Sequence, residues 1–586
     1  MSRTLRLDKP RPVAGLRASL GVLLIAAAAA VSAQSSGAWT QWGRTAQHGG
    51  ASPVTAQPLE MILADVVNDP FVGQMKADGG GDLFAHYAVP LLDESGVYMT
   101  FKSGTYTGFG NWDSITWNVR KLEWIGQRLE VVWTYASDWK PPSLEVAGWE
   151  PVFLPAMTAE DLFVPGLGGT IHRVSKQTGA EIERLNPFSN VISDRFVAGG
   201  LAIDADGSVV YDAVEFTGGL TLQLAGAWLV RAAPGGQVSR ADFGSLVPGA
   251  PGPNDACEVS FAPDQRPWPP SSDATPPTFP CGAQRPGLNV VPAIAADGTI
   301  YTLSRAQNAD RYAYLVAVHP NLTPAWTASL RDILNDGCGV LLHNDNSNVG
   351  CRTGSNTGVD PATNRRPAGR VADTGTSSPV VLPDGAVVVG SFTSYNFFRG
   401  HLFKFGADGH ALATYDFGWD ITPAVRVHDG TYSLLLKDNH YTSPDGNESY
   451  FVTSLDANLQ PEWSFHATNT QSCSGVNPRE KVCVDDHPEG FEWCVNQPAV
   501  DAAGTLFLNS EDGTLYAFDT TGAVVGRIFL DTALGAAYTP IALGPGGIVY
   551  TQNNGRLFAV GRAAVAARTA PGTPAGSPSP RPVARP

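Results

Sequence analysis

The sequence is short of charge, and of positive charge above all. Only 16% of its 586 residues are charged, and 39 basic residues face 55 acidic ones, for a net charge of −16. With no basic run to set against that excess, a phosphate-backbone binder is excluded. After residue 33 no apolar run is long enough to span a bilayer. There is no Cys-Cys pair, no C-x-x-C and no His-rich spacing, so nothing suggests zinc. No G-x-S-x-G stands at a strand-to-helix turn, so a Ser-His-Asp hydrolase is unsupported.

What the chain does have is turn formers. Gly (63) and Pro (45) are abundant and 43% of residues are hydrophobic, a composition of short strands rather than long helices. Residues 1–33 carry Arg3, Arg6, Lys9, Arg11 and Arg17 ahead of "LGVLLIAAAAAVSA", the layout of a cleavable secretory leader. Its removal would leave a still more acidic protein, secreted or periplasmic. Residues 564–586 are rich in Pro, Ala and Ser without apolar periodicity, and are expected to be a disordered tail.

In an exported chain, neighbouring cysteines read as disulfides. Cys257 and Cys281 form one natural pair, Cys338 and Cys351 another. Cys473, Cys483 and Cys494 hold one bridge and one leftover thiol, and any of the three can be the one left over.

Between the two ends one phrase recurs. It runs Pro or Gly, apolar strand, D-G turn, apolar strand, as in "VPAIAADGTIYTLS", "SPVVLPDGAVVVGS" and "NQPAVDAAGTLFLNS". A third, alternating strand follows, then a fourth near an aromatic, as in "TPAWTASL" and "QPEWSFHA". Asp-Gly between alternating apolar runs is a strong hairpin signal, since the turn needs positive φ. The tightest spacings, 45 positions from Gly385 to Gly430 and 43 from Gly504 to Gly547, match four-stranded propeller blades. The expected fold is therefore all-β: one propeller of about eight antiparallel blades over residues 34–563. The last copy has only three strands. "LEMILADVV" (Leu59 to Val67) is expected to supply the fourth and close the ring, leaving no strand edge open. A monomer is the expected state.

Two stretches carry a resemblance. "WTQWGRTAQHGGAS" (Trp39 to Ser52) resembles the W-x-x-[aromatic]-x-x-[small]-x-x-H-x-G opening of quinoprotein-like propellers. "LFLNSEDGTLYAFDTTGAVVGR" resembles their blade consensus. The resemblance is to the PQQ-type β-propeller superfamily, which includes PQQ-dependent alcohol dehydrogenases and the outer-membrane assembly factor BamB. In those dehydrogenases it implies a cofactor on the axis under a disulfide of adjacent cysteines, a calcium ion and an Asp base. This chain has no adjacent cysteines and no Asp that aligns with that base, a departure that puts quinone catalysis in doubt.

The turns that follow first and third strands are short. The insertions, and all seven cysteines, fall in the turns after second strands or in links between blades, chiefly 244–288, 331–376 and 469–495. Long ordered loops of this kind are usually functional. One face of the ring is thus plain and the other elaborated. On the elaborated face "GWEP" and "GWDITP" place Trp149, Glu150, Trp419 and Asp420 just before innermost strands. Either the acids bind a cation or polar ligand beside stacking tryptophans, or the tryptophans pack and the acids bond to loop backbone. Asp373 and the run Asp485, Asp486 and His487 occupy similar loops. Asp345, flanked by Asn344 and Asn346, offers oxygen ligands of the kind calcium takes. Lys102, Arg305, Arg399, Lys437 and His440 lie at or after second strands, where they meet an anion or are solvated loop residues. Trp112, Tyr395, Phe397, Phe398 and Tyr441 would form an aromatic rim. Two functions fit: a binding protein whose stapled face holds a protein, glycan or small ligand, or a PQQ- and calcium-dependent dehydrogenase.

Overall fold

In a computed structural model of the chain, the described residues are 37–141, 149–217, 223–340, 350–393, 399–419, 421–441, 448–474, 481–493, 495–531 and 539–564. Asp345, Tyr395, Phe397, Phe398, Asp420 and Cys494 lie outside them. Among the described residues the recurring phrase folds as eight four-stranded antiparallel blades. Blades 1 to 7 occupy 91–136, 156–185, 195–242, 293–329, 380–418, 424–466 and 499–529. Blade 8 takes three strands from 542–561 and its outermost from Met61–Val67, which pairs antiparallel with Arg556–Gly561. Arg556 holds this closure with a two-pronged ion pair to Asp65, at 2.5 and 2.8 Å.

Burial follows strand position. Second strands are covered on both faces, as in Val387–Phe392, where every residue is buried. Fourth strands such as Pro461–His466 are exposed or half-exposed throughout. This gradient is why inner strands read as continuous apolar runs and outer ones do not. At the D-G turns the aspartate caps the turn: Asp384 Oδ1 accepts the Ala386 amide at 3.0 Å while Gly385 takes φ of 80°.

The stretch 39–57 is no strand of any blade. It crosses the ring beneath the plain face and bonds to all eight blades in turn. Trp39 pairs with Leu92, the Thr40 carbonyl accepts from Met157, and Gln41 makes a side-chain pair with the Ile203 backbone. Ala46, Gln47, Gly49 and Gly50 then offer carbonyls to the amides of Ile294, Val381, Val425 and Val500, and Gln57 donates to Gly547. The short innermost strands are thereby satisfied. The crossing requires a tight loop at Gly43, whose φ is 62° and where a Cβ would sit 2.3 Å from His48 Cα.

On the opposite face, the two long links flanking blade 4 are one structure. The hairpin Ala256–Glu258 with Thr278–Pro280 is joined by Cys257–Cys281. The Phe261 amide donates to Ala362, and Trp268 pairs with Cys351, which is bonded to Cys338. The link after blade 6 forms a second hairpin, Gln471–Ser474 with Val482–Asp485, crossed by Cys473–Cys483. Every disulfide among the described residues therefore lies on the elaborated face. No helix among the described residues is long and apolar enough to cross a membrane.

Candidate functional site on the elaborated face

The lead-in to blade 1, residues 68–90, climbs from blade 8 and brings two residues to the axis. Asp69 is anchored by the Phe71 amide, which donates to its Oδ1 at 3.0 Å. Lys102, at the end of blade 1's second strand, donates to Asp69 Oδ2 at 2.6 Å and to Glu150 Oε2 at 2.5 Å. Trp117 Nε1 donates to the other Glu150 oxygen at 3.3 Å. All three charged groups are buried. Burial, together with the neighbouring Asp69, pushes the Glu150 carboxyl above its usual range despite Lys102. Burial works against the Lys102 ammonium, but the two carboxylates hold its pKa above the ordinary value.

His86 is the second residue. Its Nδ1 lies 2.7 Å from the Glu150 carbonyl and its Nε2 3.0 Å from the Thr374 carbonyl. These acceptors are the lead-ins of blades 2 and 5, so the ring bridges the axis. Each ring nitrogen thus faces a backbone carbonyl. Trp149 stacks on His86 with ring centroids 5.2 Å apart.

Across the axis Asn289 makes the parallel connection. It accepts from the Val152 amide at 3.0 Å and donates to the Asp373 and Gly375 carbonyls. The Asp373 carboxylate is gripped by Arg285 at 2.8 and 2.5 Å and by Arg305 at 3.2 Å. Burial opposes its charge, but the arginines hold its pKa below the usual range. Trp419 packs on Phe392 with centroids 4.4 Å apart.

Glu150 and Asp373 thus come to the axial mouth, each bound to a cation from its own or a neighbouring blade. The cations read as anion-seekers do meet anions, but internal ones: Lys102 meets Asp69 and Glu150, and Arg305 meets Asp373. Lys437 and His440 are not solvated loop residues. Both are buried in the second strand of blade 6, Thr431–His440. His440 Nε2 lies 2.8 Å from Asp438, whose other oxygen accepts from Tyr415 and Thr453. That network joins strands of blades 5 and 6 and includes none of the Lys102 partners. Asp486 bonds to His487 and Ser472 on the exposed hairpin, and Asp485 is exposed beside it. Of the expected aromatic rim, Trp112 is buried and packs on Trp117, while Tyr441 donates to Glu492.

Asp69, His86, Arg285 and Asn289 were not singled out from the sequence. "NDP" at Asn68 to Pro70 is a turn signal, but nothing local says that its acid reaches a lysine 33 residues on.

Two spaces at the axis, as the described residues bound them, are small. A cavity bounded by Trp42, His86, Val152, Asn289, Thr376 and Asn496 has about 10 Å3, room for one water at most. The Asn496 side-chain amide finds no hydrogen-bond partner among the described residues. A second space beside Trp419 and Arg370 has about 20 Å3. Small-molecule pockets run from about 300 Å3 upward. PQQ, a fused tricyclic tricarboxylate, does not fit either space. The basic groups that would meet its carboxylates are paired, and the Glu150 oxygens that would meet calcium are taken by Lys102 and Trp117. Among the described residues no group of three or more His, Cys, Asp or Glu is placed to hold a metal ion.

No protein-family model and no curated sequence matches the chain. Solved structures do. A europium-containing methanol dehydrogenase matches with TM-score 0.50 and 11% identity, over 89% of this chain and 91% of that one. A quinohemoprotein alcohol dehydrogenase from Comamonas testosteroni matches with TM-score 0.50 and 12% identity, over 93% and 85%. BamB from Moraxella catarrhalis matches with TM-score 0.40 and 10% identity, over 80% and 95%. The chain has the eight-bladed fold of the quinoprotein-like β-propellers, and at these identities the likeness is one of fold.

Proposed function

We propose that the chain is a binding protein of an oxidising compartment, which holds a macromolecular partner on its disulfide-stapled face. The observation that carries this reading is the pairing of a filled axis with an exposed apolar hairpin. Val482 and Val484, 64% and 56% exposed, point from one side of the hairpin that Cys473–Cys483 crosses. Phe279, 55% exposed, stands on the other stapled hairpin. A disulfide holds such a hairpin in shape before a partner arrives, which lowers the ordering cost of binding. Clustered exposed apolar side chains favour a protein partner over a glycan. The disulfides fit the periplasm or the cell exterior.

The test is cross-linking in extracts of the native compartment. Capture of one protein by the wild type, lost in a V482D/V484D variant and kept in a V427D variant of the plain face, supports the reading. Equal capture by all three, or by none, contradicts it. The competing reading, oxidation of an alcohol or aldose with PQQ, draws on the shared fold alone. The 10 Å3 axial space weighs against it.

A further inference from the structure

The plain face carries a basin of about 550 Å3 beside the axis. Its floor is the crossing segment at Gly49 and Ala51. Its walls are the first turns of blades 4 and 5 and the first strand of blade 6, with Tyr301, Pro383 and Val427 among the lining residues. The lining is mostly apolar and Val427 is 65% exposed. Around it stand aspartates of the turn phrase: Asp297 in the wall, Asp408 beside Ala407 and next to His410, and Asp429, its carboxylate 97% exposed and 3.6 Å from His428; Asp384, between Pro383 and Gly385, is held by Lys404 and Tyr432. An apolar trough with an acidic rim suits an extended peptide that is both basic and rich in proline.

The chain carries such a segment, and it leaves from this face. Strand Arg556–Gly561 ends on the plain side, where Gln57 accepts from the Arg562 and Ala563 amides and donates to Gly546 in the first turn of blade 8. Arg562 is fixed to Glu60. Residues 565–586 follow, outside the described residues. They hold Arg568, Arg581 and Arg585, six prolines and no acid, in a chain whose net charge is −16. With strands about 4.8 Å apart, the exit near blade 8's outer strands lies on the order of 30 Å from the basin. A polyproline stretch rises about 3.1 Å per residue, so some 22 residues reach about twice that far.

We propose that the basin is a receptor for basic, proline-rich peptide, and that residues 565–586 of the same chain are its occupant. The part of that segment proposed to occupy the trough is its proline- and arginine-bearing end, 580–586. The proposal concerns the opposite face from the stapled links and stands without the function proposed for them.

The experiment places a photo-cross-linker, p-benzoylphenylalanine, at Val583 of the full chain, in an equal mixture of isotopically light and heavy protein. The expected products join residue 583 to peptides containing Tyr301, Pro383 or Val427 of the same chain. Their yield falls roughly five-fold in 0.5 M salt, which screens exposed charge pairs. It falls at least as far in Val427→Lys and Asp297→Asn/Asp429→Asn variants, whose substitutions are at exposed positions and leave the ring folded. Cross-links to the disulfide-bearing face, cross-links only between light and heavy chains, or no defined product would each overturn the proposal.

Discussion

The two faces of the ring close the axis by different means. On the plain face, 39–57 crosses the blades mainly through backbone hydrogen bonds, one blade after another, and several of the turns there share an Asp-Gly form. On the elaborated face the closure is made by side chains: Lys102 between Asp69 and Glu150, His86 and Asn289 across the axis, and Arg285 with Arg305 on Asp373. The comparison teaches that a shared scaffold need not keep a shared cavity. Backbone closure is generic, whereas a handful of long polar side chains decides whether the opposite mouth is open.

The largest expected effect lies on the elaborated side. Lys102→Met leaves two buried carboxylates without their cation, and is expected to cost about 3–5 kcal/mol in denaturant unfolding. Cost within 1 kcal/mol of zero would mean that the carboxylates find solvent and the mouth is open. On the plain side, Gly43→Ala forces a Cβ into the His48 backbone at a positive φ, with an expected loss on the order of 3 kcal/mol. An undiminished midpoint would show that the crossing segment does not support the ring.

The crossing segment also carries a pH dependence. Burial lowers the His48 pKa to about 4. The folded value is depressed below the unfolded one, so stability present above about pH 6.5 is lost as pH falls toward 4, by on the order of 3 kcal/mol. Unfolding of His48→Asn measured across that window should show a flatter profile.

Asp212 gives a smaller effect with the opposite sign. Fully buried between blades 3 and 4 and bonded only to Thr302 among the described residues, it has a pKa raised well above the ordinary value by burial. Its stability contribution is present below about pH 4 and is lost as pH rises toward the folded value. Asp212→Asn should therefore stabilise the protein near pH 7, by about 1–2 kcal/mol. The smallest effect belongs to the hairpin staple. Cys473→Ser/Cys483→Ser should leave the ring's unfolding midpoint within about 0.5 kcal/mol of wild type, because the hairpin stands outside the blades, while amide exchange in 471–474 and 482–485 accelerates.

How much of this could be read from the sequence follows the same division. Blade number, the closing strand and the gathering of cystines on one face were legible because Asp-Gly turns and apolar alternation are local. Glu150 and Asp373 were legible as acids at a mouth. Their partners were not, because Lys102, Arg285 and Arg305 come from other strands, and Asp69 and His86 from a lead-in with no repeat to flag it. The opening "WTQWGRTAQHGGAS" read as a mark of kinship. Its role as a crossing segment depends on carbonyls that every sequence has.

The central claim, that the axis as lined by the described residues has no room for a quinone cofactor, is tested most directly by titrating the purified protein with PQQ and Ca2+. Absorbance, thermal midpoint and dye-linked oxidation of alcohols and aldoses are followed together. The account predicts no spectral change, no rise in midpoint beyond that of Ca2+ alone, and no turnover. Saturable one-to-one binding with a raised midpoint and dye reduction would contradict it.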